Sequence, residues 1–495
     1  MQRTILIISC AILLTSVACT NTVGWALEYG AGPRAPMPGE MQNARTVTFQ
    51  QCVDIALEHN RWRPVSQFNV EIAQAQLKQA LSTYWPQLGA TASYQHMDEP
   101  LNFIFPEINF TAPASTMTVD TMLGTLPVNV PPQSVTVPAQ DIKLMDEQTG
   151  AASLNLMYPL YTGGKRSAVV KQAESGLAAA RQEARRTDLQ VIYDVKRTYY
   201  GAVLAKRLCG IAEETLARME VTLELTEHLY KGGSMQVKKT DYLRNKTVVE
   251  GLRATVAFLK GNERLTLAAL TNVIGLDWDS EIDVAEAEVP FRPHEADLKR
   301  LVGSAYRFNP DWNKLEEGIK AAEAHIDEKT ADHFPQIALV GNLTHIENSY
   351  DKGIATADNK DSWTAGIVME LLLFKGFRTK QEVKEARARL GKLQGQKVLL
   401  REGIALQVKD AFIQMARSQD QKRAMDAAVT ASEESRDLNE RAYQEELVET
   451  KDVIEAQLVE SFVKANYEKI LYDHIEAQAR LDFVVGREIA ALLDR

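Results

Sequence analysis

Two segments of the chain alternate apolar and polar positions with a period of two and then run straight into helical spacing. In residues 151–162, Leu154, Leu156, Tyr158 and Leu160 share one face, with Ser153 and Asn155 opposite. In residues 362–374, Trp363, Ala365, Ile367, Met369, Leu371 and Leu373 share a face, opposite Thr364, Gly366 and Glu370. Each predicted strand ends at a glycine-bearing turn, Gly163-Gly164 in one and Gly376 in the other. Past the first turn, Val170, Ala173, Leu177, Ala180, Ala184, Val191, Val195 and Tyr199 follow steps of three and four, a coiled-coil seam whose alanines permit close helix approach. A helix over residues 164–230 would reach on the order of 100 Å at 1.5 Å per residue. No proline interrupts residues 160–289, and none follows Thr379.

The similarity of these segments is part of a duplication. Thr83-Tyr84-Trp85-Pro86-Gln87-Leu88 answers to Asp332-His333-Phe334-Pro335-Gln336-Ile337, and at the same spacing Ala56, Asn60, Ala73 and Leu77 meet Ala305, Asn309, Ala322 and Ile326. Past the strands a second constant spacing pairs Leu160 with Leu373, Gly163 with Gly376, Val195-Lys196 with Val408-Lys409, and Tyr230 with Tyr443. One unit therefore occurs twice, over residues 46–275 and 296–488, joined by a linker over residues 276–295. Each unit reads as a short helix, a longer helix, a strand pair and two long helices. The strand pairs fall at about 86–96 with 151–162, and at about 335–346 with 362–374. The long helices cover 164–230 and 240–274 in the first unit, 377–442 and 450–488 in the second. The first unit has an extra Pro-, Thr- and Val-rich segment between its strands, residues 97–150, expected to be a long exposed loop with some extended structure.

Strands of about ten residues suit a tilted crossing of a hydrocarbon layer, one face to lipid and one to a polar lumen. Tyr84, Trp85, Tyr161, Phe334 and Phe374 gather where strands meet helices, as an interfacial girdle would. Four strands cannot close a barrel, and an open sheet edge in lipid leaves backbone groups unpaired, so the membrane reading requires an oligomer. The N-terminus agrees with export. A cation at Arg3, an apolar run over residues 5–18 and then small residues predict a signal peptide. Two processing routes fit: cleavage near Ala26, giving residues 1–26 as the signal, or cleavage after Ala18, leaving Cys19 as a lipidated N-terminus.

Composition narrows the chemistry. A formal net charge of -10 gives no electrostatic reason to expect nucleic acid. The eight histidines form no HExxH or i, i+4 pair, and the Gly163-Gly164-Lys165 turn lacks the upstream glycine of a phosphate loop, so no enzyme, metal site or cofactor is expected. Cys52 and Cys209 read as small buried hydrophobes.

With these features in place, the chain resembles the TolC-like outer membrane efflux protein family. The carriers are the two Pro-Gln strand starts, the stretches Tyr158–Arg166 and Leu371–Arg378, and the helix breaks after Tyr230 and Tyr443. The resemblance implies a mainly α fold, internally duplicated and homotrimeric. Each chain would give four strands to an outer-membrane β-barrel, continued by a long coiled-coil α-helical barrel in the periplasm. It further implies a passive exit duct for efflux or type I secretion, docked to a periplasmic adaptor and an inner-membrane pump of RND, ABC or MFS type. A gated tip would be built at the helix breaks, where the family's acidic positions correspond to Asp241, Asp452 and Glu455. Val448 stands where the family often has a locking arginine. The first break is basic, with Lys231, Lys238 and Lys239, and the second acidic, with Glu445, Glu446 and Glu449, so ion pairs between neighbouring hairpins are an expected substitute. The alternative reading, a non-channel periplasmic coiled-coil adaptor, expects one helical hairpin rather than a duplicated strand-helix unit.

Overall fold

The computed structural model describes residues 45–145, 147–293, 297–348 and 360–487. The expected signal peptide and Cys19 lie outside the described residues. The chain divides into two units, one drawn from Met1–Arg61, Val191–Pro293 and Gln414–Ala479, the other from Trp62–Gln190, His294–Ile413 and Arg480–Arg495. Each unit thus takes parts of both sequence repeats.

The helices repeat in length as well as order. Helices α1 (Phe49–His59) and α5 (Leu298–Phe308) have 11 residues each, while α2 (Trp62–Ser82) and α6 (Pro310–Ala331) have 21 and 22. Helices α3 (Lys165–Lys231) and α7 (Arg378–Gln444) have 67 each, and α4 (Lys239–Ile274) and α8 (Thr450–Val485) have 36 each. Local chemistry sets their starts. Thr48 accepts from the Gln51 backbone while the Gln51 side chain accepts from the Thr48 backbone, a reciprocal cap on α1. Asn309 caps α6 by accepting from Trp312, with Pro310 at the first position, where no N–H is needed.

In the first unit, strand β1 (Arg45–Val47) pairs in parallel with β10 (Ile282–Val284) of the linker. Both cover a core in which Val47, Ala56, Val195, Tyr199, Leu270 and Ile475 are buried together. Tyr199 donates its buried hydroxyl to the Val47 carbonyl at 3.1 Å, satisfying a polar group the core would otherwise strand. Nearby, His474 is fully buried between the Ser418 hydroxyl (2.9 Å) and the Arg292 carbonyl (2.8 Å), against the Phe291 ring. Burial pushes its pKa below the ordinary 6.5, against the upward pull of the Arg292 and Met415 carbonyls and with a further downward push from Lys196. The unfolded imidazole then takes its proton at a higher pH than the folded one. The stability His474 contributes is full above pH 6.5 and is lost as pH falls below it. The thermal midpoint of the detergent-solubilised protein is therefore expected to drop between pH 7 and pH 5, and to drop less in His474→Gln. Equal slopes would remove His474 from the cause.

In the second unit, β2 (Gln87–His96), β9 (Gln148–Tyr161), β11 (Gln336–Asn348) and β12 (Asp361–Glu370) form one antiparallel sheet in the order β12-β11-β9-β2. The register aligns Ala90, Leu154, Leu343 and Trp363, then Leu88, Leu156, Gly341 and Ala365, so one face is apolar across all four strands. On the other face Asn342 donates to Asn155 at 2.7 Å. The ladder of β12 stops at Glu370 opposite Gln336, because Pro335 precedes β11 and has no N–H to extend it. Residues 371–374, expected in the strand, lie beyond it. All five aromatic residues of the expected girdle are exposed. No described helix is long and apolar enough to cross a membrane.

Residues 97–150 are more ordered than a loop. Strand β3 (Asn102–Phe105) pairs with β8 (Gln140–Lys143), β4 (Ile108–Ala112) with β7 (Gln133–Val137), and β5 (Ser115–Thr121) with β6 (Gly124–Val130). The prolines at 106, 113, 131, 132 and 138 fall in the breaks between these ladders, where their missing N–H costs nothing. The result is a long two-stranded ribbon that continues the β2–β9 hairpin.

Each unit is fastened by the same device. In the first, Asn60 donates to the Val273 carbonyl at 2.8 Å, and Gly275, in the left-handed region at φ 85°, lies against the His59 backbone. In the second, Asn309 donates to the Val484 carbonyl at 2.8 Å, and Gly486, at φ 79°, lies against the Phe308 backbone.

Candidate functional site at the helix turns

The first helix turn, residues 232–238, closes α3 with Gly233 at φ 80° and a Ser234 N–H that reaches back to the Leu229 carbonyl. The second, residues 445–449, closes α7 the same way, with Glu446 at φ 55° and the Leu447 N–H bonded to the Ala442 carbonyl. Both are Schellman-type endings. A glutamate holds in one what a glycine holds in the other, although the left-handed region costs a residue with a Cβ about 1 kcal/mol. Ser234 and Glu446 also touch, the hydroxyl donating to the carboxylate at 2.9 Å, so the two turns are joined.

Two of the expected gate residues occupy equivalent places. Asp241 is the third residue of α4 and accepts from the Lys238 backbone N–H at 3.0 Å; Asp452 is the third residue of α8 and accepts from the Glu449 N–H at 3.2 Å. Each carboxylate sits at the positive end of its helix and satisfies a donor left over there. Asp241 also lies 3.7 Å from the Arg244 guanidinium. Glu455 is exposed one turn further along, in an open groove of about 330 Å³ lined by Arg244, Lys451, Ile454, Leu458, Val459 and Phe462.

Two of the expected cross-pairing charges have ion-pair partners of their own within the chain. Lys231 pairs back along α3 with Glu227 at 2.6 Å, and Glu449 with Lys451 at 3.3 Å. Lys238, Lys239 and Glu445 are exposed.

Behind the turns lies a set of buried polar residues that the sequence did not single out. Thr226 donates to the Thr222 carbonyl, so it must accept from the Tyr443 hydroxyl (2.8 Å) and from Asn245 (3.2 Å), and Tyr443 in turn accepts from Thr450 (3.0 Å). One turn on, Gln457 donates to Thr222 and Glu440 at 3.1 and 2.7 Å. Beyond it the fully buried Glu460 carboxylate is surrounded by Lys464 (2.7 Å), Arg218 and Arg436 (3.4 Å each). These groups tie α3, α4, α7 and α8 together by directional contacts. By contrast Met219, Val249 and Ile454 supply an apolar cluster in the same unit. A signal existed: Thr222, Thr226, Gln457 and Glu460 hold seam positions where a coiled coil wants apolar residues.

At the strand-to-helix junction Gly163 and Gly164 have φ 62° and 91°, and a Cβ on Gly163 would lie 2.7 Å from the Phe334 side chain. The second copy repeats the backbone with Gly376 at φ 59° and Phe377 at φ 63°. The sequence pair Gly163-Gly164 is thus a chain reversal, and Lys165 beyond it pairs with Asp332 at 3.0 Å. No cluster of metal ligands occurs among the described residues.

Comparison with known proteins adds a family. The sequence model described as outer membrane efflux protein matches residues 53–276 and 301–487. Among curated proteins, Protein CyaE of Bordetella pertussis is 26% identical over 50% of this chain and 51% of its own length. The probable outer membrane lipoprotein SilC of Salmonella typhimurium is 26% identical over 48% of this chain and 50% of its own. The chain thus spans about half the length of these relatives. Among solved structures, the outer membrane protein VceC of Vibrio cholerae shares the fold at a TM-score of 0.69 and 19% identity, covering 89% of this chain and 96% of that one.

Proposed function

We propose, from the premise that this chain belongs to the outer membrane efflux protein family, that three copies form a passive exit duct through the outer membrane. The protein is an outer-membrane transport protein and not an enzyme. The observation that carries the duct reading is the four-stranded sheet with two open edges, β2 and β12, and one apolar face. Such a sheet cannot stand alone in hydrocarbon, and three copies edge to edge give a twelve-stranded barrel with no edge left. The polar face, with Asn155 and Asn342, then lines the lumen. The long helices α3, α4, α7 and α8 continue the wall into the periplasm and end at the two joined turns, where a periplasmic adaptor and an inner-membrane pump of RND, ABC or MFS type would engage. The pump supplies the energy, and the duct holds no cofactor. Of the two processing routes, cleavage after Ala18 would leave Cys19 to anchor the mature chain by a lipid, a feature the probable lipoprotein SilC bears in its name.

At the turns, Asp241, Asp452 and Glu455 recur around the mouth by symmetry and favour cations there. The first two also fix the starts of α4 and α8, so the groups that set the field at the mouth are held by the helices that frame it. Lys238 and Lys239 are exposed and free to meet Glu445 or Glu446 of a neighbouring hairpin. Reversing both lysines to glutamate is expected to raise single-channel conductance in planar bilayers several-fold; unchanged conductance would remove these pairs from the closed state. The duct itself is tested by outer-membrane fractionation and gel mobility before and after heating. A heat-sensitive trimer that conducts in bilayers is expected, and a monomer without conductance would end the reading.

A further inference from the structure

The ribbon over residues 102–143 has surface that nothing among the described residues shelters. In its outer ladder, β5 and β6, Met117 faces Val128 and Val119 faces Leu126 on one side, while Thr116, Thr118, Asp120, Thr125 and Asn129 take the other. The four apolar residues are exposed, Met117 to 65% and Leu126 to 59%. The inner ladder, β4 and β7, divides in the same way, with Ile108, Phe110, Val135 and Val137 on one face and Asn109, Thr111, Ser134 and Thr136 on the other. An isolated two-stranded ribbon is marginal in water, and an apolar face of this kind marks a contact.

Three observations select the occupant. The ribbon grows from β2, the edge strand of the sheet, so it rises at the seam where a neighbouring copy would close the barrel. At the base of the ribbon, next to the membrane strands, lie Asp98, Glu99, Asp141, Lys143 and Glu147, a charged belt that sets the rest of the ribbon in water rather than in lipid. From residue 108 to 140 the sole charge is Asp120, so this part of the ribbon has no cations with which to hold an anionic lipid surface. We propose that the ribbons of neighbouring copies pack their outer-ladder apolar faces on one another, forming a collar over the outer exit of the duct. This rests on the oligomeric reading above. Seven cross-strand pairs at about 3.4 Å and a width of about 10 Å give each ladder face on the order of 250 Å². That is well below the roughly 800 Å² per partner of a stable interface. The collar is therefore assembled by the barrel and does not itself hold the copies together.

The test uses the full chain in native outer membranes, with single cysteines introduced by Leu126→Cys or Val128→Cys on the apolar face and Thr118→Cys or Asn129→Cys on the polar face. The native Cys52 and Cys209 are buried, and the unsubstituted protein serves as control. On mild oxidation, several-fold more disulfide-linked dimer is expected from the apolar-face variants, and deletion of residues 102–143 is expected to leave the heat-sensitive oligomer intact. An oligomer with equal cross-linking from both faces, or with none, overturns the collar and leaves the duct standing. Labelling of the Leu126→Cys variant by a lipid-phase thiol reagent without cross-linking overturns it in favour of a membrane contact. A monomer on unheated gels overturns the oligomeric reading and the collar with it.

Discussion

Replacing Gly275 or Gly486 by alanine is expected to destabilise the protein by on the order of 3 kcal/mol in either case. Two effects add. Both glycines sit in the left-handed region, and a Cβ would stand 2.3 Å from the His59 carbonyl oxygen at Gly275 and 2.4 Å from the Phe308 oxygen at Gly486. Those oxygens belong to backbone held at the ends of α1 and α5, where Asn60 and Asn309 reach across to carbonyls near the ends of α4 and α8. The neighbour cannot rotate away as a side chain would. Gly210→Ala and Gly391→Ala are the controls, since both lie inside long helices with nothing within 4 Å of the added carbon. They are expected to be neutral or to stabilise by about 0.5–1 kcal/mol. Thermal melting followed by helical circular dichroism reads both sets, and equal midpoints for Gly275→Ala and Gly391→Ala would refute the clamp.

Glu460→Ala is expected to cost about 3–5 kcal/mol, measured by denaturant unfolding. The carboxylate is fully buried, and its removal leaves Arg218, Arg436 and Lys464 largely buried without their shared counter-charge. Lys464 retains Glu433 at 2.8 Å, which limits the loss on that side. Glu460→Gln keeps the shape and should lose nearly as much, because the missing quantity is charge. A double variant, Glu460→Met with Lys464→Met, should recover part of the loss, since it removes a cation together with the anion. A single-variant loss below about 0.5 kcal/mol would mean the cations are solvated and the carboxylate contributes no more than a surface ion pair.

The strand faces were legible because a period of two leaves little freedom. Once Leu154, Leu156 and Tyr158 share a side, Ser153 and Asn155 must take the other, and the apolar row across the sheet follows from pairing. The duplication was legible through its fixed spacings, and the paired glycines at residue 163 announced a backbone that other residues avoid. Three things were not. The ribbon at residues 102–143 carries short apolar runs cut by prolines, and sequence alone cannot say that the cuts on its two strands coincide. The acids at 241 and 452 stand out in the sequence as charge, although their position three residues after Lys238 and Glu449 also announces a helix start. The buried network around Tyr443 joins residues more than 200 positions apart, as in the Thr226–Tyr443 bond, and no local pattern encodes the partner. Tyr230 and Tyr443 align in the repeat, yet Tyr443 is buried while Tyr230 is 37% exposed and stacks on Tyr242. The duplication fixes where a side chain starts, and what it meets depends on the other copy.

The makeup of the first unit bears on how the protein is made. Val47 and Ala56, which leave the ribosome early, are buried with Leu471 and Ile475, which leave it far later. About 400 residues separate them, and at synthesis rates of roughly 5–20 residues per second the early strand and helix wait tens of seconds for these two partners. Until then β1 and α1 have only part of their native shelter, from Val195, Tyr199, Leu270 and the strand β10. A truncation at residue 450 would therefore leave Val47 and Ala56 without Leu471 and Ile475 while sparing every contact they make with residues 191–289.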